Sequence, residues 1–153
     1  MASLTASAGC GEVASDLQAA DAEGPVEAGG VRVSASLQGS SVVRVHFEPL
    51  RPGFHIYSLT LPAGGVDGLG VPTRVEAGSG FTASGPARST VEPISLRIPE
   101  LSVTLPVYPD GPVDIELPVD VDHSDDNTVI VAYGACSDEV CLLPVRDLVV
   151  PVD

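Results

Sequence analysis

The sequence of this 153-residue chain predicts an all-β fold, an immunoglobulin-like β-sandwich preceded by a flexible N-terminal arm. Three observations predict it. From Val31 onward apolar residues recur with period two in one short run after another. No stretch holds a helical period. The 16 Gly and 14 Pro fall between the runs as turn signals, and valine is abundant, as strands of a sandwich require. At 44% hydrophobic residues the chain is globular and long enough for one core. Aromatics are only 4% and Trp is absent, so the core is expected to rest on Val, Leu, Ile and Ala.

Residues 1–29 are Ala, Ser, Gly and acidic residues without lasting period, which reads as an arm with a weak helical turn near Ser15 to Ala22. Residues 30–153 form the domain. Val31, Val33, Ala35 and Leu37 alternate with polar residues; Gln38-Gly39-Ser40 turns the chain; Val43, Val45 and Phe47 alternate again. This is a hairpin with one buried face. Phe54 to Leu61 reads as a third strand, with His55, Tyr57 and Leu59 on one face. Pro62 to Pro72 is a Gly-rich loop, Thr73 to Ala77 a short strand, and Gly78 to Thr90 an irregular stretch around Phe81. Ile94, Leu96 and Ile98 alternate, then Leu101, Val103 and Leu105. After the Pro109-Asp110-Gly111 turn, Val113 to Val121 is the longest alternating run. Its Pro118 cannot donate to a ladder, which predicts an edge strand or a bulge. Thr128 to Ala135 is nearly continuous apolar and reads as a central strand buried on both sides. Val145 to Val152 is the last strand.

Charge and hydropathy exclude several functions. Formal net charge is −14, and all seven basic residues are arginine. Such a field repels phosphate backbones and anionic membrane surfaces, which argues against nucleic-acid binding. Salt adaptation and coding bias account equally for the missing lysine. No apolar run approaches the roughly 20 residues that span a bilayer. Met1 to Gly9 has no basic start and no adequate apolar stretch for a secretory signal. Ser7-Ala8-Gly9-Cys10 has a faint likeness to a lipoprotein cleavage site but lacks its Leu, so Cys10 reads as a lone cysteine in the arm. No Gly-x-Ser-x-Gly elbow supports a serine hydrolase.

The most informative segment is Tyr133-Gly134-Ala135-Cys136-Ser137-Asp138-Glu139-Val140-Cys141-Leu142-Leu143-Pro144. Cys136 and Cys141 flank four residues between two strand-like runs. A non-hydrogen-bonded pair in a hairpin has its Cα atoms about 4.5 Å apart, within the range a disulfide accepts. Closing so short a loop stabilises the chain by only about 2 kcal/mol, and a bond at a sheet end is open to an attacking thiolate. Spacing leaves a structural staple and a redox couple evenly matched. A zinc site combining the thiols with two of His46, His55 and His123 is a third arrangement, although the histidines lack paired ligand spacing. Asp138 and Glu139 inside the loop disfavour a thiolate. A couple with poorly stabilised thiolates gives up electrons readily once reduced, so the loop predicts a reductant whose thiols are not depressed below about 8.5.

The cysteine segment resembles the signature of the N-terminal periplasmic domain of the thiol:disulfide interchange protein DsbD. Pro52-Gly53-Phe54-His55-Ile56-Tyr57-Ser58 resembles a second stretch of that family. Gly70-Val71-Pro72-Thr73-Arg74-Val75, followed by Gly80-Phe81 and Gly85-Pro86, resembles a third. Together they cover about Val31 to Val152.

The resemblance implies an immunoglobulin-like sandwich with one redox-active disulfide, working outside the cytoplasm without a cofactor and without a metal. It implies electrons drawn through a membrane relay domain and a thioredoxin-like domain, then passed to periplasmic thiol proteins in disulfide reduction and cytochrome c maturation. Such a module would be a protein-disulfide reductase acting with other domains. Cys141 would form the mixed disulfide with a partner and Cys136 would resolve it. His55, Tyr57, Tyr133, Asp138 and Glu139 are the expected neighbours of the catalytic pair Cys136 and Cys141. Two features depart from the family. Leu143-Pro144 stands for the usual double proline, and the region of the cap loop, roughly Ile98 to Val103, has no aromatic, with Glu100 as a nearby carboxylate. The competing reading is a non-catalytic partner-binding sandwich whose disulfide is a local staple.

Overall fold

A computed structural model describes residues 24–153, and these form an all-β sandwich. The strands in chain order are β1 (Val26–Ala28), β2 (Val31–Gln38), β3 (Val42–Pro49), β4 (His55–Ile56), β5 (Arg74–Ala77), β6 (Phe81–Ala83) and β7 (Arg88–Ser89). They continue with β8 (Ile94–Ile98), β9 (Val103–Val107), β10 (Val113–Val121), β11 (Thr128–Tyr133), β12 (Ala135–Cys136) and β13 (Val145–Pro151). One sheet runs β1-β2-β3-β10-β6, with β7 also on β10; the facing sheet runs β13-β11-β5. Two small ribbons, β12-β4 and β8-β9, lie outside these sheets.

Alternation sets the main register. Val33 pairs with Phe47 and Ala35 with Val45, and on the other edge of β3 Val45 pairs with Ile115. Every one of these side chains is buried, because a one-residue slip would turn the whole apolar set to solvent. Polar partners follow the same register outside: Arg44 opposes Glu116 at 2.8 Å, and His46 opposes Asp114 at 2.6 Å. The facing sheet contributes Val75, Val129, Val131, Tyr133 and Val150 to the shared core.

The core differs from its expected composition. All three Phe and all three Tyr are buried, and Tyr108, Tyr133 and Phe47 are the largest fully buried side chains. Phe47 and Tyr133 meet edge to face with centroids 5.5 Å apart. The aromatics are few, but each fills core volume that valine leaves.

Several elements also differ from expectation, each for a local reason. β1 lies inside the stretch that composition assigns to the arm. It pairs Val26 with Val33, so the packed domain begins by Val26. The remainder of the arm, with Cys10 and the Ser15 to Ala22 turn, lies outside the described residues. The strand expected over Phe54 to Leu61 reduces to His55–Ile56 plus a bridge from Tyr57 to Val107. Ser58 ends it: its Oγ accepts from Thr60 N at 3.0 Å and Leu61 N bonds Ser58 O, a side-chain turn that competes with the ladder. Gly78 to Thr90 is not irregular throughout, because β6 and β7 both pair with the long β10, with Phe81 buried as anchor.

β10 is neither an edge strand nor bulged. Pro118 O accepts from Ser84 N, so the proline nitrogen faces the same side of the strand, in the gap between the β7 pairing, which ends at Glu116, and the β6 pairing, which starts at Val119. Its missing donor therefore breaks no pair. β11 is central, between β13 and β5, but Ile130 and Ala132 are only half-buried on its outer face.

Candidate active site

β4 and β12 bring the site together. Their register pairs Ile56 with Ala135 and His55 with Cys136. Ile56 and Ala135 face the main core, whereas Tyr57 and Cys136 belong to a second small core with Leu61, Leu105 and Val107. Period two thus sends the chemistry-bearing residues to one face and the structural ones to the other.

Cys136 and Cys141 are disulfide-bonded, with Cα atoms 4.1 Å apart. Their backbones form the expected non-hydrogen-bonded pair. The bonds on either side, Leu142 N to Ala135 O at 2.9 Å and Ser137 N to Val140 O at 2.8 Å, bracket it. Ser137 shapes the intervening loop. Its Oγ accepts from Glu139 N and Val140 N, both at 3.2 Å, which holds the turn that brings the cysteines together.

The two sulfurs see different surroundings. Cys136 is 4% exposed, whereas Cys141 is exposed. They open on a cleft of about 390 Å³. One wall is the Ser137 to Val140 loop, which presents Asp138 and Glu139 to solvent. The other is the tip of the β8-β9 ribbon, where Ile98, Pro99 and Glu100 enter a 3-10 turn closed by Ser102 in a left-handed conformation. Arg97 is the cation in the cleft wall. A larger cleft of about 760 Å³, lined by Ser79, Asp125, Asn127 and Asp153 among others, contains no thiol or histidine, so the chemistry belongs to the disulfide cleft.

Tyr57 forms the floor. Its hydroxyl lies 3.2 Å from Cys136 Sγ and 3.9 Å from Cys141 Sγ. Disulfide sulfurs carry no hydrogen, so the tyrosine O–H is the donor. Burial pushes the Tyr57 hydroxyl up from its ordinary value, which keeps it protonated as a donor. Tyr57 is fixed through its backbone carbonyl and its ring. Thr73 Oγ1 donates to Tyr57 O, and Gly70, at φ +85°, passes so close that a Cβ there would stand 3.0 Å from Tyr57 Cε1.

His55 is buried behind Cys136, with Nδ1 3.1 Å from Asp110 Oδ1. Tyr133 is not in the cleft. It points into the main core, where its hydroxyl donates to Ala28 O at 2.7 Å and burial raises its pKa to about 12. Tyr133 and Cys136 differ by three positions, an odd number, so alternation sends them to opposite faces. The histidines of the zinc arrangement do not gather: His46 is committed to Asp114 in the six-stranded sheet, and among the described residues no group of three or more His, Cys, Asp or Glu could hold a metal ion. Asp110, Arg97, Ser137, Thr73 and Leu96 were not legible as site residues. Asp110 was visible only as part of a turn signal.

The chain superposes on the crystal structure of the Neisseria meningitidis DsbD N-terminal domain in its reduced form with a TM-score of 0.55 at 12% identity, over 81% of this chain and 85% of that one. The fold is that of the DsbD N-terminal domain. The N-terminal periplasmic domain of ScsB from Proteus mirabilis is also similar, with a TM-score of 0.46, 22% identity, and coverage of 80% of this chain and 45% of that one. No protein-family profile and no curated protein matches the sequence. Within this DsbD-like fold the disulfide sits at the edge of the sandwich between the β8-β9 ribbon and the Ser137 to Val140 loop. No helix among the described residues is long and apolar enough to cross a membrane.

Proposed function

We propose that this domain is an extracytoplasmic thiol–disulfide exchange module that relays electrons through Cys136 and Cys141. The observation that carries the reading is the asymmetry of the pair: one cysteine is exposed at the cleft, the other is buried with its sulfur against the Tyr57 hydroxyl. A staple needs no such asymmetry, and this one joins neighbouring strands of a single turn rather than distant parts of the sandwich.

In the reduced domain the Cys141 thiolate attacks a partner disulfide. A Cys141–partner bond forms, and one partner sulfur leaves as thiolate. Cys136 then attacks Cys141 Sγ, the second partner thiolate leaves, and the Cys136–Cys141 disulfide is restored. Two electrons pass to the partner. The return half runs the same steps backwards, with a thioredoxin-like dithiol as donor. Asp138, Glu139 and Glu100 around the cleft disfavour a stable thiolate and support an electron-donating bias. Val140, at 49% exposure, and Leu143, at 86%, offer apolar contact beside the reactive sulfur. A disulfide that must persist between cycles suits an oxidising compartment such as a periplasm. The donor is read as a membrane relay domain acting with a thioredoxin-like domain, and the acceptors as periplasmic thiol proteins, including those of cytochrome c maturation.

Single-thiol variants test the reading. Cys136→Ser incubated with a single-cysteine thioredoxin-like variant, carried as its mixed disulfide with a small thiol, should release that thiol and accumulate a Cys141–partner disulfide. Cys141→Ser should trap little, because Cys136 is buried. Equal trapping by both variants, or by neither, contradicts the assigned roles.

A further inference from the structure

We infer that the buried imidazole of His55 is the hydrogen-bond acceptor that receives the Cys136 S–H when the disulfide is reduced. The inference rests on the exchange reading above and assigns a role to a group that the exchange steps do not use.

His55 is 3% exposed, yet its Nε2 is buried without any hydrogen-bond partner. Such a group costs free energy and calls for an explanation. The other ring nitrogen, Nδ1, meets Asp110 Oδ1 at 3.1 Å. A carboxylate accepts only, so Nδ1 carries the hydrogen, and Nε2 of the neutral ring is a bare lone pair. A charged ring would instead bury an Nε2–H with nothing to receive it.

The topology of β4 indicates where that lone pair leans. One edge of β4 pairs with β12, where Cys136 is the register partner of His55. The other edge is held by the Pro106 to Gly111 segment, through Ser58 N to Pro106 O, Tyr108 N to Ile56 O and Gly111 N to Phe54 O. Asp110 belongs to this second edge. The two nitrogens of an imidazole diverge, so with Nδ1 on Asp110 the Nε2 lies on the other side of the ring, away from the Asp110 edge, and in the oxidised domain it makes no hydrogen bond to Cys136 Sγ. Register partners share a face with Cβ atoms about 5 Å apart, within reach of a side-chain hydrogen bond.

In the oxidised domain Cys136 Sγ is bonded to Cys141 and has no hydrogen to offer. Reduction adds two electrons and two protons and breaks the S–S bond. The Cys136 sulfur then carries a hydrogen inside the protein, where it needs an acceptor, and Nε2 is the acceptor left unmet. Tyr57 does not compete, since its hydroxyl donates to the sulfur lone pair. His55 therefore favours the reduced state and keeps Cys136 a neutral thiol, leaving Cys141 as the sulfur that ionises.

The test uses the whole chain. In a glutathione redox buffer, His55→Phe should lower the reduced-to-oxidised ratio about fivefold, the size of one net hydrogen bond, which is a potential about 20 mV more negative. His55→Gln, which restores an acceptor, should recover part of the shift. In the wild-type protein reduced with excess dithiothreitol, the Nε2 nitrogen resonance should move to that of a hydrogen-bonded acceptor while Nδ1 stays put. An unmoved Nε2 resonance, or a protonated Nε2 in the reduced form, overturns the inference. So does an unchanged potential in a folded His55→Phe. The resonance is read whether or not partners are trapped, so failure of the exchange reading shows separately, in the single-thiol variants.

Discussion

Replacing Tyr57 by Phe removes one oxygen and leaves the ring packed among Leu61, Leu105 and Val107. The lost hydroxyl stands 3.2 Å from Cys136 Sγ and 3.9 Å from Cys141 Sγ in the oxidised domain. After reduction it faces a thiolate, and hydrogen bonds to charged groups contribute about 1.5–3 kcal/mol. The longer reach to Cys141 places the effect just below that range, at about 1.4 kcal/mol, or about one decade of thiolate population below the thiol pKa. A more basic thiolate is also a better nucleophile, with a Brønsted slope of about 0.4–0.5, so roughly half of that decade returns. The rate of Cys141 attack on a small disulfide should therefore fall about threefold at low pH. Above the thiol pKa both proteins are fully ionised, and Tyr57→Phe should be about threefold faster. Stopped-flow exchange of the Cys136→Ser background across pH reads both limbs. Crossing profiles support the hydroxyl as a thiolate donor. Superimposable profiles, or a uniform fall at every pH, refute it.

Two further predictions probe charge and anchoring. In Asp138→Asn with Glu139→Gln, loss of two exposed carboxylates beside the sulfurs should raise the thiolate fraction by a few tenths of a pKa unit, roughly, and make the couple less reducing, with the difference shrinking in high salt; a salt-independent change, or one of opposite sign, contradicts the electrostatic account. Tyr133→Phe should cost about 1 kcal/mol in denaturant unfolding, because Ala28 O loses its donor. It should also alter alkaline stability. The native pKa of Tyr133, raised to about 12, exceeds the unfolded value of about 10, so its contribution is intact below about pH 10 and is lost as pH rises toward 12. The variant should show a smaller decline over that window, and parallel declines would exclude Tyr133 as the source.

Alternation carried much of the fold. The β2-β3 hairpin and the full length of β10 were legible because one buried face leaves a period-two trace in Val31 to Phe47 and Val113 to Val121. Elements governed by tertiary pairing were not. Arg88–Ser89 carries no strand pattern of its own and becomes a strand because β10 offers an edge. Pro118 was read by a local rule, but where the neighbouring strands end decides its cost. Ile130 is apolar but only half-buried, so a continuous apolar run did not mean two buried faces.

At the site, spacing put Cys136 and Cys141 within pairing range, and the strand face read for His55 and Tyr57 brings Tyr57 to the sulfurs, whereas His55 is buried outside the cleft lining. Tyr133 was misplaced, because nearness in sequence to Cys136 stood in for side-chain direction. Asp110 and the β8-β9 wall lie 26 and more residues from Cys136 in sequence, and only the fold brings them to it.

The central claim, that Cys136–Cys141 is a working couple, is tested most directly by its reduction potential. Equilibration of the domain with thioredoxin, read by thiol alkylation, should give rapid, reversible exchange and a potential above about −300 mV. A potential below that value, with a disulfide that resists thioredoxin, would make the bond a structural staple and contradict the account.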